Sequence, residues 1–503
     1  PSRRQGDAGV GDRSVTRSCG PDLARVGAGL PVAAYRDEIT TALHGGRAVI
    51  VAPPGTGKTT FVPPLVASRC SGRVIVTQPR RVAARAAARR LAALTGTRPG
   101  EFASHTVHGE STTTRDTKVE FVTTGVLLRR LLSDPDLTGV DAVVLDEVHE
   151  RHLDADLVVA MVCEVAQLRD DLTIVAMSAT VDSSGWAAFL GGVEPAPVVE
   201  VASALHELEV EWAPAAGAAV ESRGVSREFL GHLGTVTVDA LDRHTEGSAL
   251  VFVPGAREVD HVVADLRSRL AGIDVVGLSG AMSAREQDHA LSDPGNVRRV
   301  IVSTAVAESS LTVPGVRLVV DSGLSREPRL DRGRGMTGLV TVRESRASAV
   351  QRAGRAARLG PGVAVRCLRA QDWAGMNADP TPEVDHADLV ASLLSLAVWG
   401  SPRGEGMALP TPLPQDRVAA AEEELRDLGA VDAEGRITAR GRHLATFPLD
   451  PRLARALTDG AAIVGSRRCA EIAAMLGLED GQVDLVGQWR QLLSLIHIRR
   501  CRR

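Results

Sequence analysis

The sequence predicts an α/β fold of two similar units in tandem, followed by a smaller, mainly helical region. Three observations lead to this prediction. Short runs rich in valine and isoleucine recur in two series, the first between residues 48 and 178 and the second between residues 249 and 368. Longer segments rich in alanine, arginine and leucine separate these runs, as crossover helices separate the strands of a parallel sheet. Past about residue 375 the runs stop, and apolar residues recur at helical spacing.

The candidate strands are continuously apolar, which is typical of strands that helices cover on both faces. In the first series they are residues 48–52, 74–77, 119–123, 142–146 and 173–178. In the second series they are residues 249–253, 275–278, 299–303, 316–321 and 362–368.

The C-terminal region has a different character. Residues 386–399 and 415–428 are candidate amphipathic helices, and residues 429–432 and 435–438 form a candidate β-hairpin before a further helix. The succession of helix, helix and short hairpin is typical of a winged-helix domain.

Composition limits the classes of function. The chain has 503 residues with 44% hydrophobic content, which suits roughly three or four domains of about 100–200 residues each. Aromatic residues make up only 3%, so base stacking on many exposed rings is excluded as the main way of binding nucleic acid. The formal net charge of −4 excludes a purely electrostatic nucleic-acid coat, but not an enzyme with a local basic channel.

The cysteine pattern and the apolar segments bear on the compartment. None of the six cysteines forms a C-x-x-C pair, so neither a zinc site nor a disulfide framework is indicated. No apolar run reaches the roughly 18 residues of a membrane span, and the N-terminal stretch lacks the apolar core of a signal peptide. We therefore expect a reducing, cytoplasmic setting without a membrane.

Both ends of the chain look atypical. It begins at Pro1 rather than at a methionine, and residues 1–27 are polar and rich in glycine and arginine without periodicity, so we expect them to be disordered or non-native. Residues 492–503 do not continue the composition that precedes them, and we interpret them as a non-native tail. The alternative is the end of a basic amphipathic helix.

A phosphate-binding loop follows the first strand. Residues 53–60 read PPGTGKTT and lead into a helical pattern. Glycines let backbone N–H groups approach a phosphate, and the helix N-terminus adds a positive dipole. Lys58, one of only two lysines in the chain, would reach the β- and γ-phosphates, and the hydroxyl of Thr59 would bind Mg²⁺. The alternative, a glycine-rich turn with a chance lysine, is weakened by this strand–loop–helix context.

An acidic pair ends the strand at residues 142–146. Residues 146–151 read DEVHER, which places Asp146 and Glu147 at the carboxyl edge of the predicted sheet, where parallel sheets bind ligands. Asp146 would hold Mg²⁺ through water, and Glu147 would orient and deprotonate the attacking water. An acidic helix start is the alternative, but the position several βα units after a phosphate loop favours the catalytic interpretation.

These motifs resemble those of the DEAH-box superfamily 2 helicases, over about residues 30–500. The further matching segments, in the family's order, are TQPRRVAAR at 77–85, TTGVL at 123–127, SAT at 178–180, FVPG at 252–255, STAVAESSLT at 303–312 and QRAGRAAR at 351–358. The segments LPV at 30–32, QPRR at 78–81 and LDPRL at 449–453 resemble the bacterial HrpB-like branch of ATP-dependent helicases.

The resemblance implies two tandem RecA-like P-loop domains, then a winged-helix domain and the start of a helical, ratchet-like domain. The implied boundaries are residues 28–202 for the first RecA-like domain with its ATP-binding motifs, 203–372 for the second, 373–447 for the winged-helix domain and 448–491 for the helical domain.

The resemblance also implies roles at the nucleotide. Arg355 and Arg358 would be arginine fingers that stabilise charge during phosphoryl transfer, and Gln351 would help to position the water in contact with His149. The other implied nucleotide contacts are the loop residues Gly55, Thr56, Gly57 and Thr60, then Arg90 stacked on the base, and Glu308. For Arg90 the alternative is an ordinary surface arginine.

Contacts to nucleic acid and coupling residues are implied as well. The phosphate contacts would come from Arg80, Arg81, Thr123, Thr124, Thr304 and Arg332. Arg332 lies in the arginine-rich segment 325–345, which resembles the family's hairpin for strand separation, although a basic solvated loop remains the alternative. Ser178 and Thr180 would couple the ATP state to domain closure.

Three positions depart from the family's pattern. Ala52 replaces the first glycine of the general phosphate-loop motif, which is common in helicase-like loops. Ala357 replaces a glycine of QRxGRxGR, so closure could be slower, and Ala305 replaces an asparagine. No base-stacking aromatic residue is evident near Leu291, so we expect weak base selectivity.

The expected function is therefore an ATP- and Mg²⁺-dependent RNA helicase or translocase, acting as a monomer on single-stranded or partly duplex nucleic acid, 3′ to 5′ by resemblance. A DNA translocase of the same superfamily and a catalytically weak RNA-binding scaffold remain open. An unrelated P-loop kinase is disfavoured, because it would not need the second α/β unit.

Overall fold

The first α/β unit is built on an eight-stranded sheet. A computed structural model describes residues 21–179, 183–202, 206–222, 224–295, 297–308, 313–331, 336–476, 487 and 489. The strands of the first sheet are β1 (Arg47–Val51), β2 (Arg73–Gln78), β3 (Ala103–Val107), β4 (Glu110–Ser111), β5 (Val119–Thr123), β6 (Val140–Leu145), β7 (Thr173–Ser178) and β8 (Val198–Glu200). The helices around it are α1 (Leu23–Gly27), α2 (Arg36–Ala42), α3 (Lys58–Ala67), α4 (Arg81–Thr95), α5 (Thr124–Ser133), α6 (Leu153–Leu168) and α7 (Ser183–Gly191).

The topology of the first sheet brings the phosphate loop and the acidic pair to one edge. The strand order is β4-β3-β5-β2-β6-β7-β1-β8, with all neighbours parallel except the short β3–β4 pair. Alternate residues of β1 enter two apolar cores, Val49 and Val51 on one face and Ala48 and Ile50 on the other. Because β1 and β6 are parallel and separated only by β7, the segments that follow them meet at the carboxyl edge of the sheet.

The second α/β unit has a six-stranded parallel sheet in the order β13-β14-β12-β15-β18-β9. Its strands are β9 (Leu208–Trp212), β12 (Ser248–Phe252), β13 (Asp274–Leu278), β14 (Arg299–Ser303), β15 (Val316–Asp321) and β18 (Gly362–Arg366), and a small separate pair is β10 (Val220–Glu221) with β11 (Gly224–Val225). Its helices are α8 (Arg227–Arg243), α9 (Ala256–Arg269), α10 (Ala284–Leu291), α11 (Arg346–Ala353) and α12 (Ala370–Ala374).

An antiparallel hairpin follows β15, in the arginine-rich segment where the family resemblance implied one. It consists of β16 (Leu324–Asp331) and β17 (Met336–Arg343), paired from Leu324 opposite Arg343 to Asp331 opposite Met336. Arg332, which follows β16 in the sequence, lies outside the described residues.

Residues 377–387, which we call the connector, lead from the second unit to the C-terminal helices. The connector touches the first unit, because the N–H of Glu383 donates to the carbonyl of Arg151 at 3.2 Å. It also touches the hairpin, because the N–H of Leu330 donates to the carbonyl of His386 at 3.2 Å. The connector thus contacts both the first unit and the hairpin of the second unit.

The C-terminal helices pack directly on the first unit. They are α13 (Val390–Trp399), α14 (Gln415–Asp427), α15 (Ala439–Ala445), α16 (Pro451–Val464) and α17 (Ser466–Leu476). One apolar core contains Leu157 of α6 together with Leu393 and Val418 of α13 and α14. The indole Nε1 of Trp399 donates to a carboxylate oxygen of Glu164 at 2.6 Å. Helices α13 and α14 therefore share the core of the first unit.

The C-terminal predictions hold in outline. A single antiparallel bridge between Val431 and Ile437 lies at the predicted small hairpin. Helix α13 begins at Val390 rather than at His386. A side-chain oxygen of Asp388 accepts from the N–H of Val390 at 3.0 Å. That α16 and α17 begin a ratchet-like domain stays a prediction.

The N-terminal boundary differs from the prediction for residues 1–27. Helix α1 already begins at Leu23, where the carboxylate of Asp22 accepts from the N–H groups of Ala24 and Arg25. Val26 is buried in the core of the first unit. The capping aspartate and the buried valine stabilise this short helix, which packs against α3. The local sequence does not predict this tertiary contact. Residues 1–20 and the predicted tail 492–503 lie outside the described residues.

Candidate active site

The phosphate loop lies between β1 and α3, at the carboxyl edge of the first sheet. Gly55 and Gly57 have φ of +92° and +89°, a backbone conformation that side chains disfavour. A Cβ on Gly57 would lie 2.8 Å from the side chain of Leu30. Thr56 is buried, its hydroxyl donates to the carbonyl of Pro53 at 2.8 Å, and its own carbonyl is also bonded. Helix α3 begins directly after the loop and directs its N-terminal N–H groups toward it.

We expect Gly57→Ala to raise the KM for ATP by about tenfold or more. The left-handed backbone would cost about 1–2 kcal/mol for alanine, and the contact with Leu30 would distort the loop further. Steady-state ATP hydrolysis measures the KM. Gly192→Ala is the matched control, because its φ is +74° but an added Cβ would meet nothing within 4 Å. An equal KM for both variants would contradict a phosphate-binding role of the loop.

Two residues of the loop helix contact the acidic pair. Lys58 Nζ lies 2.9 Å from Glu147 Oε2, and both side chains are buried. The hydroxyl of Thr59 donates to Asp146 Oδ2 at 2.7 Å, and Gln78 Nε2 donates to the same oxygen at 2.6 Å. The structure therefore brings the two motifs, 87 to 89 residues apart in sequence, into direct contact.

The two carboxylates differ in their electrostatic surroundings. Burial and the neighbouring Glu147 raise the pKa of Asp146 to about 7, against the opposing effects of Lys58 and Thr59. Burial also raises the pKa of Glu147, but the charge and hydrogen bond of Lys58 together with His149 outweigh it, so the pKa of Glu147 is lowered. A cation between these oxygens would relieve the crowding of negative charge at Asp146.

His149 joins the acidic motif to the end of β7. Its Nδ1 accepts from the N–H of Ala179 at 3.2 Å and lies 3.6 Å from Glu147 Oε2. Burial lowers the pKa of His149, so the ring is neutral and the hydrogen-bond pattern places its hydrogen on Nε2. Nε2 is buried without a hydrogen-bond partner among the described residues. A cavity of about 660 Å³ lies between the two units, and both His149 and Gln351 of α11 line it. No described hydrogen bond joins the side chains of His149 and Gln351.

Two arginines of the second unit reach this site. The aliphatic carbon Cδ and Nε of Arg358 lie 3.3 and 3.4 Å from the place that a Cβ on Gly55 would occupy. Burial lowers the pKa of Arg358 to about 10, and its Nε has no hydrogen-bond partner among the described residues. Arg355 is buried, and its Nε donates to the carbonyl of Glu308 at 3.0 Å. Burial and the cation of Arg358 lower the pKa of Arg355 well below its usual value.

Glu308 lies in the segment after β14 and contacts helix α11. Its carboxylate accepts from the hydroxyl of Ser348 at 2.6 Å and from Arg352 Nε at 2.9 Å. Glu308 thus joins the segment after β14 to α11. A contact from Glu308 to the nucleotide remains a prediction.

Arg352 is a buried residue that the sequence analysis missed. It is 1% exposed and lies among three carboxylates, with Nη1 3.1 Å from Asp321 Oδ1 and 2.5 Å from Glu344 Oε2, besides its bond to Glu308. Its guanidinium also lies 5.0 Å from the ring centre of Phe252. Burial lowers the pKa of Arg352, but the three carboxylates outweigh it and raise it above its usual value. No sequence signal marks it beyond its place next to Gln351.

The residues predicted to contact nucleic acid are more dispersed. Arg80 lines the cavity between the units and pairs with Glu150 at 2.9 Å, whereas Arg81 is exposed and donates to the carbonyl of His108 at 3.5 Å. Thr123, Thr124 and Thr304 are half-buried at the carboxyl ends of their strands or just beyond them. Arg90 is exposed on α4 and Ser178 is buried in β7, whereas Thr180 lies outside the described residues.

Neither a metal-binding cluster of side chains nor a membrane-spanning helix occurs among the described residues. Within the described residues, no group of three or more histidine, cysteine, aspartate or glutamate side chains is placed to hold a metal ion. No helix in the described part of the chain is both long and apolar enough to cross a membrane.

Comparisons with known proteins give a consistent result. Residues 35–186 match the model of the DEAD/DEAH box helicases, residues 233–360 the helicase conserved C-terminal domain, and residues 421–449 the winged-helix helicase-associated domain HA2. The chain is 37% identical over 454 residues to the ATP-dependent RNA helicase HrpB of Escherichia coli, covering 89% of this chain and 54% of that protein. It is 32% identical to the human probable ATP-dependent RNA helicase DHX34, covering 91% of this chain and 40% of that protein.

A comparison with solved structures leads to the same family as the sequence matches. The crystal structure of the Escherichia coli DEAH/RHA helicase HrpB superposes with a TM-score of 0.82 at 36% identity, over 90% of this chain and 57% of that chain. The chain thus spans about half the length of the curated relatives it matches. These matches confirm the predicted fold class of two tandem RecA-like domains with a winged helix.

Proposed function

Because the chain belongs to the DEAD/DEAH-box helicases, we propose that it is an ATP-dependent RNA helicase or translocase that moves 3′ to 5′ along nucleic acid. The observation that carries the proposal is the convergence of two domains on one cleft. Lys58 and Glu147 come from the first domain, and Arg355 and Arg358 come from the second. A site shared in this way can link ATP hydrolysis to relative movement of the domains.

Each side chain has a definite task in this proposal. Lys58 leaves Glu147 and binds the β- and γ-phosphates, which frees the carboxylate of Glu147 to orient the attacking water and accept its proton. Arg358 and Arg355 stabilise the charge that develops on the transferred phosphoryl group. Neutral His149 bonds the N–H of Ala179, just after β7, and its Nε2–H is available for Gln351, which lines the same cavity.

The donor set at the loop fits Mg²⁺. Thr59 and Asp146 offer two oxygen ligands that already lie 2.7 Å apart, and hard divalent cations prefer oxygen. When bound, Mg²⁺ would neutralise phosphate charge during the transfer. Asp146 would hold it through water, and Gln78 would fix the orientation of the carboxylate.

RNA is favoured as the substrate because the matched proteins from Escherichia coli and human are named as RNA helicases. Sequence-independent grip requires contacts to the phosphate backbone. Arg81, Thr123, Thr124 and Thr304 remain the candidates for these contacts, together with the hairpin of the second domain, for which we propose strand separation. Arg80 would need to exchange its pairing with Glu150 for a phosphate.

We expect Glu147→Gln to lower kcat for ATP hydrolysis by about 100-fold or more, with ATP binding retained. The amide keeps the size of the side chain but cannot accept the proton of the attacking water, and general-base catalysis contributes about 10²–10⁴-fold. Phosphate release measures kcat, and binding of a fluorescent ATP analogue measures affinity. Glu164→Gln is the control, because this half-buried glutamate bonds Trp399 and lies outside the site. A kcat close to that of the unmodified protein would contradict the assignment.

The experiment that tests the whole proposal compares ATP hydrolysis at matched salt without nucleic acid, with single-stranded RNA and with single-stranded DNA. Strong stimulation by RNA that Glu147→Gln abolishes would support the RNA helicase. Equal stimulation by DNA would indicate a general translocase instead. No hydrolysis under any condition would overturn the proposal for this chain and favour the RNA-binding scaffold.

A further inference from the structure

A cluster of charged residues lies where the DEVHER segment meets the connector. His152 stands between two carboxylates, with Nε2 2.9 Å from Glu150 Oε2 and Nδ1 3.3 Å from Glu383 Oε2. The other oxygen of Glu150 accepts from Arg80 at 2.9 Å. Glu383 Oε2 also accepts from the N–H of Leu153 at 2.9 Å. The cluster therefore joins the residues just before α4 and α6 to the connector.

The neighbouring backbone strengthens the same junction. The carbonyl of Arg151 accepts from the N–H of Glu383 at 3.2 Å, so two backbone N–H groups are engaged across it. The guanidinium of Arg151 pairs with Asp156 at 3.1 Å and also donates to the hydroxyl of Thr411, between α13 and α14. The residues after the acidic pair thus hold the connector and the loop before α14.

The backbone that leads from Glu147 to this junction has little freedom. One 3₁₀ turn, Val148–Glu150, separates the two, and it is bracketed by Glu147 and Arg151 at φ of +56° and +54°. Non-glycine residues persist in this left-handed region only where the surroundings fix them, and such residues cluster at functional sites. A displacement of Glu147 is therefore passed on to Glu150, and from Glu150 to its partner His152.

The geometry also fixes the charge of the ring. Both nitrogens of His152 face carboxylate oxygens, and only the imidazolium can donate from both. Partial burial lowers the pKa of His152, but the hydrogen bonds to Glu150 and Glu383 outweigh it and raise the pKa to about 10. The side chain is 47% exposed, so solvent moderates the strength of these pairs.

From this arrangement we propose that His152 is a positioning residue, which clamps the connector to the end of the acidic motif and so transmits the state of the ATP site to the hairpin and the C-terminal helices. The connector reaches the hairpin through the bond from Leu330 to His386, while Glu383 holds the first domain. The proposal rests on the proposed function, since it names how that site communicates with the nucleic-acid side of the molecule.

The clamp itself can be tested without any activity. Hydrogen–deuterium exchange should show faster exchange at the N–H groups of Leu153 and Glu383 in His152→Gln, by about three- to fivefold for each, since a half-exposed ion pair is weakened. His152→Arg should restore slow exchange, because the planar guanidinium of arginine can donate to the carboxylates of both Glu150 and Glu383. His44→Gln is the control, as the described contact of His44 is to the carbonyl of Thr41, only three residues before it. Unchanged exchange in His152→Gln would overturn the clamp even if the protein proves to be no helicase.

The coupling is tested by ATP hydrolysis against single-stranded RNA concentration. We expect His152→Gln to keep its unstimulated rate within about twofold, and to need about three- to fivefold more RNA for half-maximal stimulation. Glu383→Gln should have the same effect, and the double variant should be no worse than either single variant, because both remove one interaction. The coupling would be overturned if the effects of His152→Gln and Glu383→Gln multiplied in the double variant. It would also be overturned if His152→Gln needed no more RNA than the unmodified protein.

The dependence on pH follows from the sign of the shift. The charged and titratable groups around His152 are Glu150, Glu383, Arg80, Asp154 and Asp156. Because folding raises the pKa of His152, its contribution is complete below about pH 6.5 and is lost as pH rises through about 10. The RNA requirement of the unmodified protein should therefore rise toward that of His152→Gln between about pH 8 and about pH 10.5, while His152→Arg stays constant over this range. A parallel rise in His152→Arg would overturn the assignment to His152.

Discussion

Replacing Arg358 with alanine should lower kcat for RNA-stimulated ATP hydrolysis by about 1000-fold. An arginine supplied to a transferring phosphoryl group contributes about 10³–10⁵-fold to turnover. Arg358 extends from the second domain to within contact of Gly55 in the phosphate loop. Burial lowers its pKa to about 10, so the side chain is still a cation at neutral pH. The variant removes a charge that the transition state needs more than the ground state does, so kcat falls while the KM for ATP changes little.

The measurement is steady-state phosphate release at saturating RNA, with ATP varied. Arg285→Ala is the matched control, because this arginine is exposed on α10 in the same domain. Arg358→Lys should recover only a small part of the loss. The single ammonium of lysine is a compact charge and cannot reproduce the planar set of N–H donors of the arginine guanidinium. A kcat for Arg358→Ala equal to that of Arg285→Ala would show that Arg358 is only a packing residue of the closed cleft.

The cleft arginines illustrate what the sequence can predict. Lys58, Asp146, Glu147, Arg355 and Arg358 lie in motifs whose order and spacing mark them, and the structure brings them together. Their roles are set by short-range patterns, a glycine-rich turn or the end of an apolar strand, that can be read locally. The strands that carry them are likewise apolar runs, and composition predicted five strands in each sheet: β1, β2, β5, β6 and β7 in the first, and β12, β13, β14, β15 and β18 in the second.

Strand β3, which lies between β5 and the short edge strand β4, shows where composition fails. Its residues Ser104 and His105 are buried but polar, so the segment lacks the apolar signature of its neighbours. Their partners are local and polar: Ser104 pairs with Thr113, and His105 with Glu110. A buried polar strand is stable only because these hydrogen bonds form, and the apolar periodicity of a sequence does not reveal them. The sequence pattern therefore gave no strand here.

His152 and Arg352 show the same limit for sites. The partner of His152, Glu383, lies 231 positions further along the chain, and Arg352 meets Asp321 only once β15 and α11 are packed. In a chain where nearly all positive charge is arginine, one more arginine carries no signal by itself. Both residues become visible through their burial or their partners, which a single sequence does not contain.

For Arg352 the consequence is a large expected loss of stability. We expect Arg352→Leu to lower the free energy of unfolding by about 3–5 kcal/mol, because removing one partner of a buried ion pair leaves uncompensated charge. Burial, together with Asp321 and Glu308, raises the pKa of Glu344 well above its usual value, against the opposing effect of Arg352. In Arg352→Leu the side chains of Asp321, Glu344 and Glu308 would lose the buried cation that they share.

Chemical denaturation followed by circular dichroism measures this change, with activity measured in parallel. Arg269→Leu is the control, since its ion pair with Asp265 is partly exposed and should contribute about 1 kcal/mol or less. Activity should fall more than stability alone explains, because Arg352 holds Glu308, and the carbonyl of Glu308 holds Arg355. At a temperature where Arg352→Leu is still fully folded, a kcat equal to that of Arg269→Leu would mean that Arg352 stabilises the second domain without positioning the arginine finger. A lower kcat in the folded variant would place Arg352 in the chain of contacts that aligns Arg355 with the phosphate.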